Sequence, residues 1–126
     1  MYTEKDYVMR MIRQLIQMLL GEIIKGKERN IEEDINELKE QSEKYNKLKE
    51  LVDDYKINEA ENILFDNSDI NNIKDFEIAL LFYQYVNEKE DSFLLKSDYT
   101  RDEIEQGITD ISEKYGYENI VELFLK

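Results

Sequence analysis

"DFEIALLFYQYVNEKED", Asp75 to Asp91, is the stretch on which the fold turns. On a helix advancing about 100° per residue, Phe76, Leu80 and Tyr83 fall on one side, and Ile78, Leu81, Phe82 and Tyr85 on the other. Only Glu77, Gln84 and Glu88 mark a polar edge. A helix that is apolar on nearly all sides must be packed among neighbours, so this segment is expected to be the central helix of an all-helical domain. "LLFYQYV", Leu80 to Val86, could also be imagined as a stacking platform for bases or a ligand, but a packed core explains the pattern more simply.

Outward from that helix the signals stay helical, and no run keeps the period-two alternation of a strand. Thr3 with Asp6, Asn30 with Glu33, Asn58 with Glu61 and Thr100 with Glu103 read as capped starts. Ile31, Ile35 and Leu38, then Tyr45, Leu48, Leu51 and Val52, repeat at helical spacing. Asp66 to Lys74 is polar and asparagine-rich, which predicts a loop, with Asp75 capping the helix after it. Gly116 follows Tyr115 where a glycine C-cap belongs, and "YENIVELFLK" closes the chain. About six helices result, joined by short polar turns.

"YNKLKELVDDYKINEAENILF" resembles one tetratricopeptide-type hairpin, with Ala60 at the small crossing position. An offset of 33 residues maps Tyr45, Leu48 and Val52 onto Ile78, Leu81 and Tyr85, but it also puts Leu51 on Gln84 and Ala60 on Phe93. The expectation is a single domain over 1–126 of stacked, tetratricopeptide-like helix hairpins, and not a true repeat array.

Composition narrows the chemistry. The 126 residues suffice for one continuous core. With no cysteine and no histidine, disulfides, thiolate chemistry and the commonest general base and metal ligand are all removed. A net charge of −13 argues against binding nucleic acid along its backbone. That charge is uneven. Residues 1–29 carry Lys5, Arg10, Arg13, Lys25, Lys27 and Arg29 against Glu4, Asp6, Glu22 and Glu28, a net of +2 that leaves −15 for the rest.

That basic head contains "DYVMRMIRQLIQMLLGEIIKG", Asp6 to Gly26, so 1–26 reads as an amphipathic N-terminal helix. Arg10, Arg13, Gln14, Gln17 and Gly21 form a narrow polar stripe, while Val8, Met11, Ile12, Leu15, Ile16, Met18, Leu19, Leu20, Ile23 and Ile24 cover most of the remainder. A helix lying on one side of a domain needs an apolar arc of only about 100°. This arc is much wider, so one surface is not expected to cover it. Arg10, Arg13 and Glu22 rule out a membrane span, and Glu4 and Asp6 spoil a signal peptide. A second copy is the simplest partner, because two-fold dimers are the commonest oligomers. Tyr7, Arg10, Met11, Arg13, Gln14, Leu15 and Met18 are the expected contact residues, the two arginines selecting an acidic counterpart. A peripheral membrane role for the same helix ranks behind this.

Catalytic and metal sites are not expected. "DNSDINNIKDFE", Asp66 to Glu77, has some of the spacing of a calcium loop, yet Ile70 stands where an oxygen ligand belongs and Asn71 where the turn needs glycine. Carboxylate pairs arise by chance among 30 acidic residues, and di-metal bundles normally use histidine. No cofactor is implied.

Two motifs together, "DYVMRMIRQL" near the start and "TRDEIEQGITDI" from Thr100 to Ile111, resemble an uncharacterised family of small helical proteins from low-GC Gram-positive bacteria. The resemblance implies a cytoplasmic bacterial protein with a helix-hairpin fold, and it transfers no catalytic residues. The reading is therefore a non-enzymatic protein–protein interaction module that self-associates through its first helix. The alternatives are a peripheral membrane protein or a small ligand-binding helical protein.

One further feature asks for a reason. Gly107 sits inside "RDEIEQGITDISEKY" although glycine costs a helix about 1 kcal/mol relative to alanine. A close helix crossing near Phe82 would supply one.

Overall fold

Thr100 caps its helix as its spacing to Glu103 predicts. Its hydroxyl accepts from the Glu103 amide at 3.2 Å, and the Glu103 carboxylate accepts from the Thr100 amide at 2.7 Å. The computed structural model describes residues 4–25 and 43–125. Among them lie seven α-helices: α1 (Glu4–Ile23), α2 (Glu43–Asp53), α3 (Ile57–Asp66), α4 (Ile73–Asn87), α5 (Asp91–Lys96), α6 (Arg101–Lys114) and α7 (Glu118–Leu125). The expected starts at Thr3 and Asn30, and the periodic residues Ile31, Ile35 and Leu38, lie outside the described residues.

α4 is the centre of one all-helical domain. Phe76, Ile78, Ala79, Leu80, Leu81, Phe82, Tyr83 and Val86 are all buried, as a helix without a polar face requires. α1, α2 and α6 pack around it, with α3 turned back against α2 as a hairpin. α1 also lies against α6 and α7. Its wide apolar arc is thereby covered within the chain: Ile12, Leu15, Ile16, Leu19, Leu20 and Ile24 are buried. One surface does not cover the arc; three helices of the same molecule cover most of it, and Met18 of the arc stays exposed.

Three boundaries differ from the sequence reading. Asn72, not Asp75, caps α4, its side chain accepting from the Lys74 amide at 3.1 Å. Asp75 lies in the first turn with its carboxylate turned inward. Lys56, not Asn58, precedes α3 and makes no side-chain cap, while the Asn58 amide reaches across to the Asp98 carbonyl at 3.1 Å. α5 was not foreseen. The reading ran α4 to Asp91, but the helix stops at Asn87, and Arg101 donates to the carbonyls of Asn87 and Lys89 at its end.

Three helices end in one way. After α2, α5 and α6, the residue at the turn is left-handed, with φ of 64° at Tyr55, 55° at Asp98 and 83° at Gly116. In each case the next amide folds back to a carbonyl in the last turn: Lys56 to Leu51, Tyr99 to Leu94, and Tyr117 to Ser112, at 2.8–3.0 Å. Only the last uses glycine, as the sequence predicts.

Gly107 lies where α6 crosses α4. A Cβ built there would fall onto the phenol of Tyr83, whose hydroxyl and ring carbons are its nearest neighbours. The close crossing exists, with Tyr83 in place of the expected Phe82. The ring passes through the gap to donate to Glu61 on α3 at 2.6 Å, where Tyr99 donates to the same oxygen at 2.8 Å.

Candidate functional site

The residues expected to make contacts on α1 separate into two faces. Leu15 is 0% exposed, so it belongs to the core of its own chain and is withdrawn from the contact set. Arg13 also turns inward in role. Its Nε and one terminal nitrogen donate to the two Glu88 oxygens of α4, at 3.1 and 3.2 Å, so the acidic counterpart expected from a partner is supplied in cis. Met11 is half-buried. Tyr7, Arg10, Gln14 and Met18 lie on the outer face, with Tyr7 66% and Met18 44% exposed. At spacings of four, three and four, Tyr7, Met11, Gln14 and Met18 form a narrow seam of large side chains along the helix.

The loop from Asn67 to Asn72 is organised by the chain's own cations. Lys44 Nζ lies 2.8 Å from an Asp75 oxygen and 3.0 Å from the Asn67 carbonyl. Lys114 Nζ donates to the Ser68 carbonyl at 2.9 Å, and the Tyr115 hydroxyl to the Asp69 carbonyl at 2.6 Å. The other Asp75 oxygen takes the Asp69 amide at 3.0 Å. Two groups at ligand positions of the calcium-like spacing are engaged within the chain: the Ser68 hydroxyl, third in the spacing, donates to the Leu64 carbonyl at 2.6 Å, and the Asn72 carbonyl, seventh, accepts from the Asp75 amide at 3.0 Å. Among the described residues, no group of three or more histidine, cysteine, aspartate or glutamate side chains is placed to hold a metal.

A chain of aromatic rings and lysines crosses the surface from α2 to α5. Lys49 Nζ stands over Tyr45, Lys89 over both Tyr85 and Phe93, and Lys96 over Tyr55, with the Tyr55 and Phe93 rings stacked 4.4 Å apart. Asp53 takes hydrogen bonds from Tyr85 and Lys89 at 2.6 and 2.9 Å. Burial would raise its pKa, but these bonds outweigh that effect and hold the carboxyl below the usual range. The role of this array is to fix α5 against α2 and α4.

The described residues also form several concave surfaces, of which two bear on binding. A groove of about 880 Å³ runs between α2 and α3 over Leu48, Leu51, Ile63 and Leu64. A smaller cleft of about 390 Å³ lies between α1 and α5, lined by Val8, Leu94 and Leu95 among others. Sequence reasoning passed over Leu95, because the pattern around it gave no helix and hence no face to assign it to.

Residues 2–116 match the model of a family of unknown function, DUF6483. The chain belongs to that family. The matched span takes in the candidate face on α1 and ends at Gly116, the turn after α6, so that α7 follows it. Neither the comparison with curated proteins nor that with solved structures gave a match. Membership in DUF6483 agrees with the uncharacterised family suggested by the two motifs, and it brings no activity with it. Among the described residues, no helix is long and apolar enough to cross a membrane.

Proposed function

We propose that this member of DUF6483 is a non-enzymatic protein–protein interaction module that self-associates as a two-fold dimer through the outer face of α1. One observation carries the reading. α1 buries Ile12, Leu15, Ile16 and Leu19 inside its own chain, yet keeps Tyr7 and Met18 in solvent on the opposite face, around Gln14. Aromatic and methionine side chains on a rigid helix are the groups that interfaces favour. The N-terminal segment that carries this face is net positive, and the acidic remainder of a second copy complements it. The α2–α3 hairpin stacked on α4 supports a tetratricopeptide-like arrangement. The cytoplasm is the compartment implied by the resemblance to bacterial helical proteins and suits a chain without cysteine.

Light scattering at micromolar concentration tests this. The wild-type chain should show twice the chain mass, and Tyr7→Glu with Met18→Glu should return it to the monomer without loss of helix content, because both positions face solvent. A monomeric wild type would refute the reading.

A further inference from the structure

Leu95 is 81% exposed, the most exposed of the large apolar side chains among the described residues, and its helix is held in place. α5 is anchored on both sides of it. Leu94 is buried, Phe93 stacks on Tyr55, Asp91 is paired with Arg101, and the Tyr99 amide closes the turn onto the Leu94 carbonyl at 3.0 Å. The leucine is therefore presented to solvent by a fixed turn, and it lines the cleft of about 390 Å³ together with Val8 of α1, Leu94 and Tyr99. The cleft is shallow and open, which suits a few side chains of a partner better than an enclosed small molecule.

The charges around the cleft set the sign of what enters. Arg101 lines it too, but its side chain is only 10% exposed and is spent on Asp91 and on the carbonyls of Asn87 and Lys89. The Arg101–Asp91 pair cancels, so exposed Asp102 is left as the uncompensated charge of the lining, on a molecule of net charge −13. An anionic occupant would meet the Asp102 carboxylate and the field of the whole body, whereas a cationic one gains from both.

We propose that the cleft between the start of α1 and α5 is a docking site for a cationic amphipathic segment of another protein. A leucine-sized apolar side chain of that segment packs against Leu95, Val8 and Leu94, and a neighbouring lysine or arginine faces Asp102. The site is distinct from the outer face of α1 and does not depend on self-association there.

The test uses the full chain and a fluorescent helical peptide built of leucine and lysine, with a matched leucine–glutamate peptide beside it, read by anisotropy. The lysine peptide should bind and the glutamate peptide should not, and added salt should weaken the binding. Leu95→Lys should weaken it about tenfold or more, as removal of one leucine anchor would. Leu123→Lys makes the same change of charge at another leucine, 77% exposed on α7, and should leave affinity within about twofold. Both positions face solvent, so thermal melts of the two variants should match the wild type. Equal losses in the two variants would reduce the effect to bulk charge and overturn the site. So would equal binding of the glutamate peptide, no loss in Leu95→Lys, or a drop in solution mass of Leu95→Lys without peptide, which would give the cleft to a second copy.

Discussion

Gly107 lacks a side chain because Tyr83 fills the space one would need. Tyr83 is wholly buried and its hydroxyl is tied to Glu61, so the phenol has no room to step aside. Gly107→Ala therefore sets two effects against each other. Helix propensity gains about 1 kcal/mol at most, while overpacking costs roughly 1–3 kcal/mol, and more if the Tyr83–Glu61 hydrogen bond is lost as well. Net destabilisation is expected, read as a lower urea midpoint. An unchanged or raised midpoint would show that the crossing has slack. The sequence carried this feature because glycine inside a helix has a recognisable cost. It could not distinguish Tyr83 from its neighbour Phe82, since successive residues on one helix differ in direction by only about 100° and both sides of α4 are buried.

Among the elements, legibility followed how local the determining interactions were. The capping box at Thr100 and the glycine turn at Gly116 use residues three to five apart, and both form as the sequence predicts. α5 did not, because it is held by contacts distant in sequence: Phe93 on Tyr55 and Asp91 with Arg101. The start of α3 lies two residues earlier than the spacing predicts for a related reason, as Asn58 spends its amide on Asp98 across the structure. On α1 the exposed Tyr7 and Met18 were legible, but Leu15 was not separable from them until α4, α6 and α7 were seen to cover it. The loop before α4 offers a test of the same kind. Lys44 is its distant staple, and Lys44→Met would leave the buried Asp75 carboxylate without its ammonium. A loss of roughly 1–3 kcal/mol is expected, because Lys44 is itself about a third exposed. Calcium should not restore it. A melting temperature that rises with calcium in the variant or the wild type would contradict the account of the loop.

At the scale of the molecule, the buried tyrosines make stability depend on alkaline pH. Burial, then the charge of Glu61, pushes the Tyr83 and Tyr99 phenols far up, and burial raises Tyr45 to about 12. In the unfolded chain these groups ionise near pH ~10. The folded state holds their protons more tightly, so its advantage is complete below about pH 10 and is lost as pH rises toward and through the folded values. Urea midpoints should be level from pH 8 to 9 and fall by pH 11. Midpoints unchanged at pH 11 would contradict the burial of these hydroxyls.

The same whole-molecule view frames the central claim, that α1 closes the core with one face and meets a second copy with the other. Amide exchange followed by mass spectrometry in dilute and in concentrated solution tests it most directly. Exchange over residues 4–25 should slow on concentration, most at Tyr7, Gln14 and Met18, while α3 and α5 keep their dilute rates. Exchange in α1 that is indifferent to concentration, or protection that appears on other helices instead, would contradict the claim.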